Sequence, residues 1–142
     1  MCKLLFLSLI LLLAASGCLT SLVDQSTTEK VFDHHVQSYF AKDFDAILSD
    51  YSDAAFIILN NKVYQGQDQM RAVFIETNEI LDHGELQLLH TVVKNQIITI
   101  TSKFIHDAYG SFVGTDTFIV EDGKIQAHVS YSEIFEKFPL KC

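Results

Sequence analysis

Cationic side chains are scarce in this chain of 142 residues. Ten Lys plus Arg face eighteen Asp plus Glu, the formal charge is −8, and Arg71 is the only arginine. An acidic surface without a basic patch repels phosphate backbones, which argues against a nucleic-acid partner. Proline occurs once and glycine six times, while apolar residues make up 49%. That balance excludes a proline-rich linker or a disordered tract and leaves enough apolar material for a core. No Gly-rich phosphate loop, Gly-x-Ser-x-Gly elbow or Cys/His nucleophile pattern is present. The three cysteines form no Cys-x-x-Cys, and the six histidines are not at metal-ligand spacing. No metal and no cofactor are therefore expected. The length suits one domain.

What the chain does have begins with an N-terminal leader. Met1-Cys2-Lys3 is a short basic start, and Leu4 to Ala15 is apolar throughout except for Ser8. A helix needs about 20 residues to span a bilayer, so this run reads as the core of a signal peptide over residues 1–17. Ala15-Ser16-Gly17-Cys18 resembles a bacterial lipobox, with Ala15 where leucine is usual. The expectation is an exported protein held at the cell envelope by a lipid on Cys18, its only membrane attachment. The alternative is an ordinary signal peptide, cleaved near Gly17, and secretion. Cys142 would then be free to pair with Cys18 in an oxidising compartment.

Residues 18–28 read as a polar tether, and residues 29–138 as the domain. Phe32, His35, Val36, Tyr39 and Phe40 recur at helical spacing. Asp43 is a good N-cap for a second short helix with Phe44, Ile47, Leu48 and Tyr51 on its apolar face. Ala54–Leu59 and Lys62–Gln65 are strand-like about an Asn60-Asn61 turn. Gly66 then opens a helix over Gln67–Leu81. Glu85–Val93, Gln96–His106, Ser111–Glu121 and Lys124–Phe135 read as four antiparallel strands, the last two joined by Asp122-Gly123. Long strands beside segregated helices make an α+β plan.

Three stretches carry a family likeness: Ala41–Leu48 with Tyr51–Phe56, Val63–Arg71, and Gly114–Ile125. In order and spacing they resemble the nuclear-transport-factor-2-like (NTF2-like), or SnoaL-like, family, which includes ketosteroid isomerase and polyketide cyclases. The resemblance implies a cone-shaped, strongly bent antiparallel sheet wrapped around about three N-terminal helices. It also implies a pocket and pairing into a homodimer through the sheet. By position within the resemblance, Asp116 lies where the isomerase holds its protonated oxyanion-hole Asp. His35 takes the place of its catalytic Tyr, and Leu59 that of its general base. With leucine there, the steroid isomerase reaction itself is not expected.

Asp116 is the sharpest residue on its own terms. It sits mid-strand and shares parity with Phe112, Phe118 and Val120. A carboxyl among aromatic rings is poorly solvated, so its pKa is expected to rise. It could then donate a hydrogen bond or shuttle a proton. The bland reading is a carboxylate satisfied by a neighbour. His35 is the expected partner, as donor or base; otherwise it is a core histidine. Tyr39, Tyr64, His90, His106, Phe118 and Tyr131 are candidate pocket residues, with packing as the bland reading for the tyrosines and strand histidines. His128 depends on register. A two-residue Asp122-Gly123 loop pairs Val129 with Asp116 and turns His128 outward, whereas a three-residue loop puts His128 across from Asp116. The apolar set Ile125, Ala127, Val129 and Tyr131 favours the outward placement.

Two functions remain in competition. The first is binding of a small, mostly apolar molecule. The second is cofactor-free isomerase, cyclase or dehydratase chemistry through Asp116 and His35. A non-catalytic envelope interaction module is a third.

Overall fold

The computed structural model describes residues 26–142. The leader, the lipobox, Cys18 and most of the tether lie outside the described residues.

Helix α1 (Thr27–Ala41) begins within the stretch expected to be tether. Ser26 caps it, and Glu29 returns the hydrogen bond to complete a capping box, so two amides at the helix start are satisfied at once. Thr28, Phe32, His35 and Ser38 face inward at helical spacing. Helix α2 (Phe44–Ser49) is capped by Asp43, whose side chain accepts from the Ala46 amide. It stops earlier than the apolar spacing predicts. Tyr51, expected on its face, is instead the first residue of β1 (Tyr51–Leu59). Asn60 and Asn61, both at positive φ, turn the chain into β2 (Lys62–Gln65). Helix α3 (Gln67–Leu81) follows Gly66, whose φ of 87° suits the break. It buries Met70, Val73, Phe74, Thr77 and Asn78.

The remainder is a meander: β3 (Gly84–Lys94), β4 (Ile97–His106), β5 (Gly110–Glu121) and β6 (Lys124–Ser132), closed by a single turn of helix, α4 (Ile134–Lys137). The last strand therefore ends before Phe135. Beyond α4, Leu140 packs into the core, past the expected boundary at 138.

The sheet order is β2-β1-β6-β5-β4-β3. The expectation of a wholly antiparallel sheet is corrected, because β1 and β6 pair in parallel and the sheet is mixed. No hairpin turn joins these two strands, so no local signal fixes their relative direction. Bulges interrupt β1 against β6, β3 against β4, and β5 against β6. Such extra residues bend and twist a strand. Helices α1, α2 and α3 pack on one face. There Ile47, Ile57, Met70, Ile98 and Ile125 are almost wholly buried. The opposite face leaves Val92, Ile97, Val113 and Val129 exposed.

The bulge in the last hairpin decides what the cavity contains. The turn is the two-residue Asp122-Gly123 form, with Glu121 opposite Lys124. One step on, Val120 pairs with Ile125, but Ile119 pairs with Ala127, so Gln126 is the extra residue. Ser52 Oγ donates to Gln126 Oε1 (2.7 Å), and Gln126 Nε2 donates to the Glu121 carbonyl (3.2 Å). Neither register considered from the sequence holds. Asp116 lies across from Ser130 and Phe118 across from His128, so His128 points inward and Val129 outward.

Candidate functional site

A cavity of about 120 Å³ lies between helices α1 and α3 and the inner face of the sheet. Phe32, Tyr39, Ile57, Phe74, Ile100 and Phe118 give it mainly apolar walls. Leu59 also contributes apolar surface. The polar groups on the wall are Asp116 and His128, His35, and the hydroxyls of Thr77, Ser102, Ser130 and Ser132. Phe40, Leu88 and Tyr131, which also line it, are partly open to solvent.

Asp116 is not alone among rings. His128 Nε2 lies 2.9 Å from Asp116 Oδ1, and His128 Nδ1 lies 3.0 Å from the Tyr51 hydroxyl. One proton pattern satisfies all three groups: the Tyr51 O–H donates to Nδ1, and Nε2–H donates to the carboxylate. Burial holds the Tyr51 pKa well above its ordinary value, and the Asp116 and Asp50 carboxylates add to the effect. Tyr51 thus keeps its proton and remains a donor. The His128 ring stacks on Phe118 with centroids 4.1 Å apart. Packing and hydrogen bonds therefore fix both the position and the orientation of the imidazole.

His35 sits deeper. Tyr51, Phe74, Phe118 and His128 all contact its ring edge-on or nearly so, with centroids 5.2 to 6.2 Å away. Its Nδ1 faces Asp50 Oδ2 at 3.7 Å, beyond hydrogen-bond length. The other oxygen of Asp50 takes a 2.7 Å hydrogen bond from His34 Nδ1. Burial lowers the His35 pKa below its ordinary 6.5, and the Asp50 carboxylate opposes that only in part. The sign of the linkage follows. Between the depressed folded value and about 6.5, the unfolded chain binds a proton that the native chain refuses. The stability due to neutral His35 is complete above that window and is lost as pH falls through it, at up to about 1.4 kcal/mol per pH unit. Urea unfolding midpoints measured from about pH 7.5 to about pH 5 should show this loss, and His35→Gln should flatten it. An unchanged slope in the variant would refute the assignment.

Tyr39 lines the cavity and donates to Thr77 Oγ1 (3.4 Å); burial pushes its pKa up to about 12. Phe118 is the ring between His128 and Phe32. Tyr131 lies on the rim and donates to Glu136 Oε1 (3.1 Å). Three expected pocket residues lie elsewhere. Tyr64 is buried on β2, beyond the cavity lining. His90, just past the bulge in β3, pairs with Thr101 and is exposed. His106 stacks on Phe138 (5.5 Å) and accepts from the Ala108 amide. His35 and Asp116 do line one cavity, but the imidazole bonded to Asp116 is His128.

Sequence reasoning missed Tyr51 and Asp50 as site residues. The usable signal was the Asp50-Tyr51 pair at the α2–β1 junction, where a carboxylate and a phenol follow an apolar helix face. Among the described residues, no group of three or more His, Cys, Asp or Glu gathers as a metal requires.

No protein-family model matches the sequence, and no curated protein matches it. Solved structures do resemble the chain. One is an NTF2-like protein from Mesorhizobium loti, at 15% identity and a TM-score of 0.66 over 75% of this chain and 90% of that one. The fold is NTF2-like. Another similar structure is TerC, co-crystallised with polyporic acid, at 11% identity and a TM-score of 0.64 over 81% of this chain and 98% of that one. A third is a Sinorhizobium meliloti protein labelled a polyketide cyclase, at 13% identity and a TM-score of 0.62 over 75% and 99%. Identities this low carry the NTF2-like architecture across, and nothing of the chemistry.

Proposed function

We propose that this is an exported pocket protein that binds a small, mostly apolar molecule. The observation that carries this reading is an apolar cavity with one fixed polar pole, Asp116 and His128. Ligand sites combine apolar walls with a few placed polar groups in this way. Export rests on the leader sequence alone, and the mass of the mature N-terminus checks it.

The Tyr51–His128–Asp116 chain favours a second reading, cofactor-free proton transfer of the isomerase, cyclase or dehydratase kind. A carboxylate held by an imidazole is positioned to take a proton from carbon beside a carbonyl, and the His128 Nε2–H fixes its orientation. A structural neighbour labelled a polyketide cyclase suits this reading.

Toluene titration followed by NMR tests the pocket. Saturable shifts of the Tyr39 and Phe118 ring resonances are expected; unmoved spectra would mean that the hollow takes no ligand. Deuterium exchange into an enolisable ketone such as cyclohexenone separates the two readings. Catalysed exchange that Asp116→Asn lowers by about 10² to 10⁴-fold marks an enzyme. Exchange at the solvent rate in both proteins leaves a binder.

A further inference from the structure

His35, on the cavity wall, and Asp50 behind it form a second carboxylate–imidazole arrangement. Asp50 and His35 are both more than nine-tenths buried. His35 Nδ1 and Asp50 Oδ2 face each other across 3.7 Å, and neither has a hydrogen-bond partner. Buried polar atoms without partners are uncommon and costly, and here two occur together, aimed at one another. His34 Nδ1 holds the other oxygen, Oδ1, at 2.7 Å. The carboxylate is thereby anchored with Oδ2 turned towards His35.

We propose that Asp50 is the positioning residue of His35, and that the cavity therefore selects a single-ring molecule carrying an O–H or N–H donor. The inference rests on the pocket reading. A proton on His35 Nδ1 is attracted to the carboxylate oxygen opposite, whereas a lone pair there is repelled. The favoured tautomer thus carries Nδ1–H and keeps the Nε2 lone pair for the cavity.

Among the described residues, the groups packed around His35 supply no donor to that lone pair. Asp50 and Tyr51 face it from the α2–β1 junction, Asp116 from β5 and His128 from β6. Tyr51 and both nitrogens of His128 are committed to one another and to Asp116. Phe74 and Phe118 bring only rings.

The other pole is also an acceptor. Asp116 Oδ1 takes its bond from His128, and Oδ2 takes none among the described residues. Tyr39 directs its proton to Thr77, which in turn donates to the Phe74 carbonyl. The hydroxyls of Ser102 and Ser130 can turn to donate or accept, so they do not alter the preference. A cavity with two fixed acceptors selects a donor. Its volume of about 120 Å³ suits one ring, since an apolar cavity of about 150 Å³ takes up benzene.

Benzene and phenol are the probes, each titrated into the wild-type chain and into Asp50→Asn, with histidine ¹⁵N spectra recorded on both proteins. Phenol should bind about tenfold tighter than benzene, the worth of one hydrogen bond. That preference should shrink in Asp50→Asn while benzene affinity holds. The wild-type spectrum should show His35 as the Nδ1–H form. Equal affinity for the two rings, or an Nε2–H His35, overturns the proposal and leaves the pocket reading standing. Failure of both rings to bind overturns the pocket reading and this inference with it. If Asp50→Asn does not fold, the wild-type tautomer and the phenol preference still decide.

Discussion

Exchanging His128 for leucine should destabilise the domain by about 2 to 4 kcal/mol and abolish ligand selection at the polar pole. Leucine retains much of the buried volume, so loss of packing is the smaller part of the effect. The larger part is what it leaves behind. The Tyr51 hydroxyl loses its 3.0 Å partner and the Asp116 carboxylate its 2.9 Å partner. A fully buried group such as the Tyr51 hydroxyl costs about 1 to 3 kcal/mol when left unpaired, and the partly exposed Asp116 carboxylate costs less. A double-mutant cycle isolates this cause. Tyr51→Phe removes one of the stranded groups, so the pair His128→Leu and Tyr51→Phe should cost at least about 1 kcal/mol less than the sum of the two single variants. Additive losses in urea unfolding would show that the hydrogen bond contributes little and that His128 is held by its stack on Phe118.

Phe118→Ala should cost still more, about 3 to 5 kcal/mol. Phe118 is 3% exposed. Its ring contacts Phe32 at 5.6 Å, His35 at 5.2 Å and His128 at 4.1 Å, and so ties α1 to the sheet. Removing it leaves a void that the surroundings fill only partly. The void adjoins the existing cavity, so the variant should favour two-ring over one-ring ligands, read as a shift in relative affinity between naphthalene and benzene. If the wild-type order of affinities persists, the ring does not bound the ligand space, and the cavity must be bounded elsewhere.

Local chemistry was legible wherever one residue acts on its neighbours. Asp43 caps the second helix as expected, because its side chain reaches an amide three residues on. Asn60-Asn61 and Asp122-Gly123 form the expected turns, because those residues tolerate positive φ. Asp116 stood out because strand interiors disfavour aspartate. The alternation that placed Phe118 inward with it held along β5, where the register against β4 is unbroken.

The failures share a cause. The inward set Ile125, Ala127, Val129 and Tyr131 assumed strict alternation along the last strand. The extra residue Gln126 reverses that parity, so Val129 faces out and Tyr131 reaches no further than the cavity rim. Partners distant in sequence, such as Ser52, hold this bulge, and no window of sequence contains them. The bulge beside Leu89 similarly precedes His90, whose pairing with Thr101 puts it on the outer face. Asp50 and Tyr51 were hidden because a helix periodicity carried two residues past Ser49 absorbs a strand residue into the helix.

By itself, the sequence determined the succession of helices and strands as far as β6, the α+β plan, and the placing of a carboxylate at position 116 among aromatic side chains, since period, cap and turn chemistry act over a few residues. Tertiary structure alone decided that His128 and not His35 binds that carboxylate, that β1 runs parallel to β6, and that Asp50 faces His35 from the end of another helix. Each of these depends on register between segments far apart in the chain, and a one-residue slip in a strand exchanges its two faces.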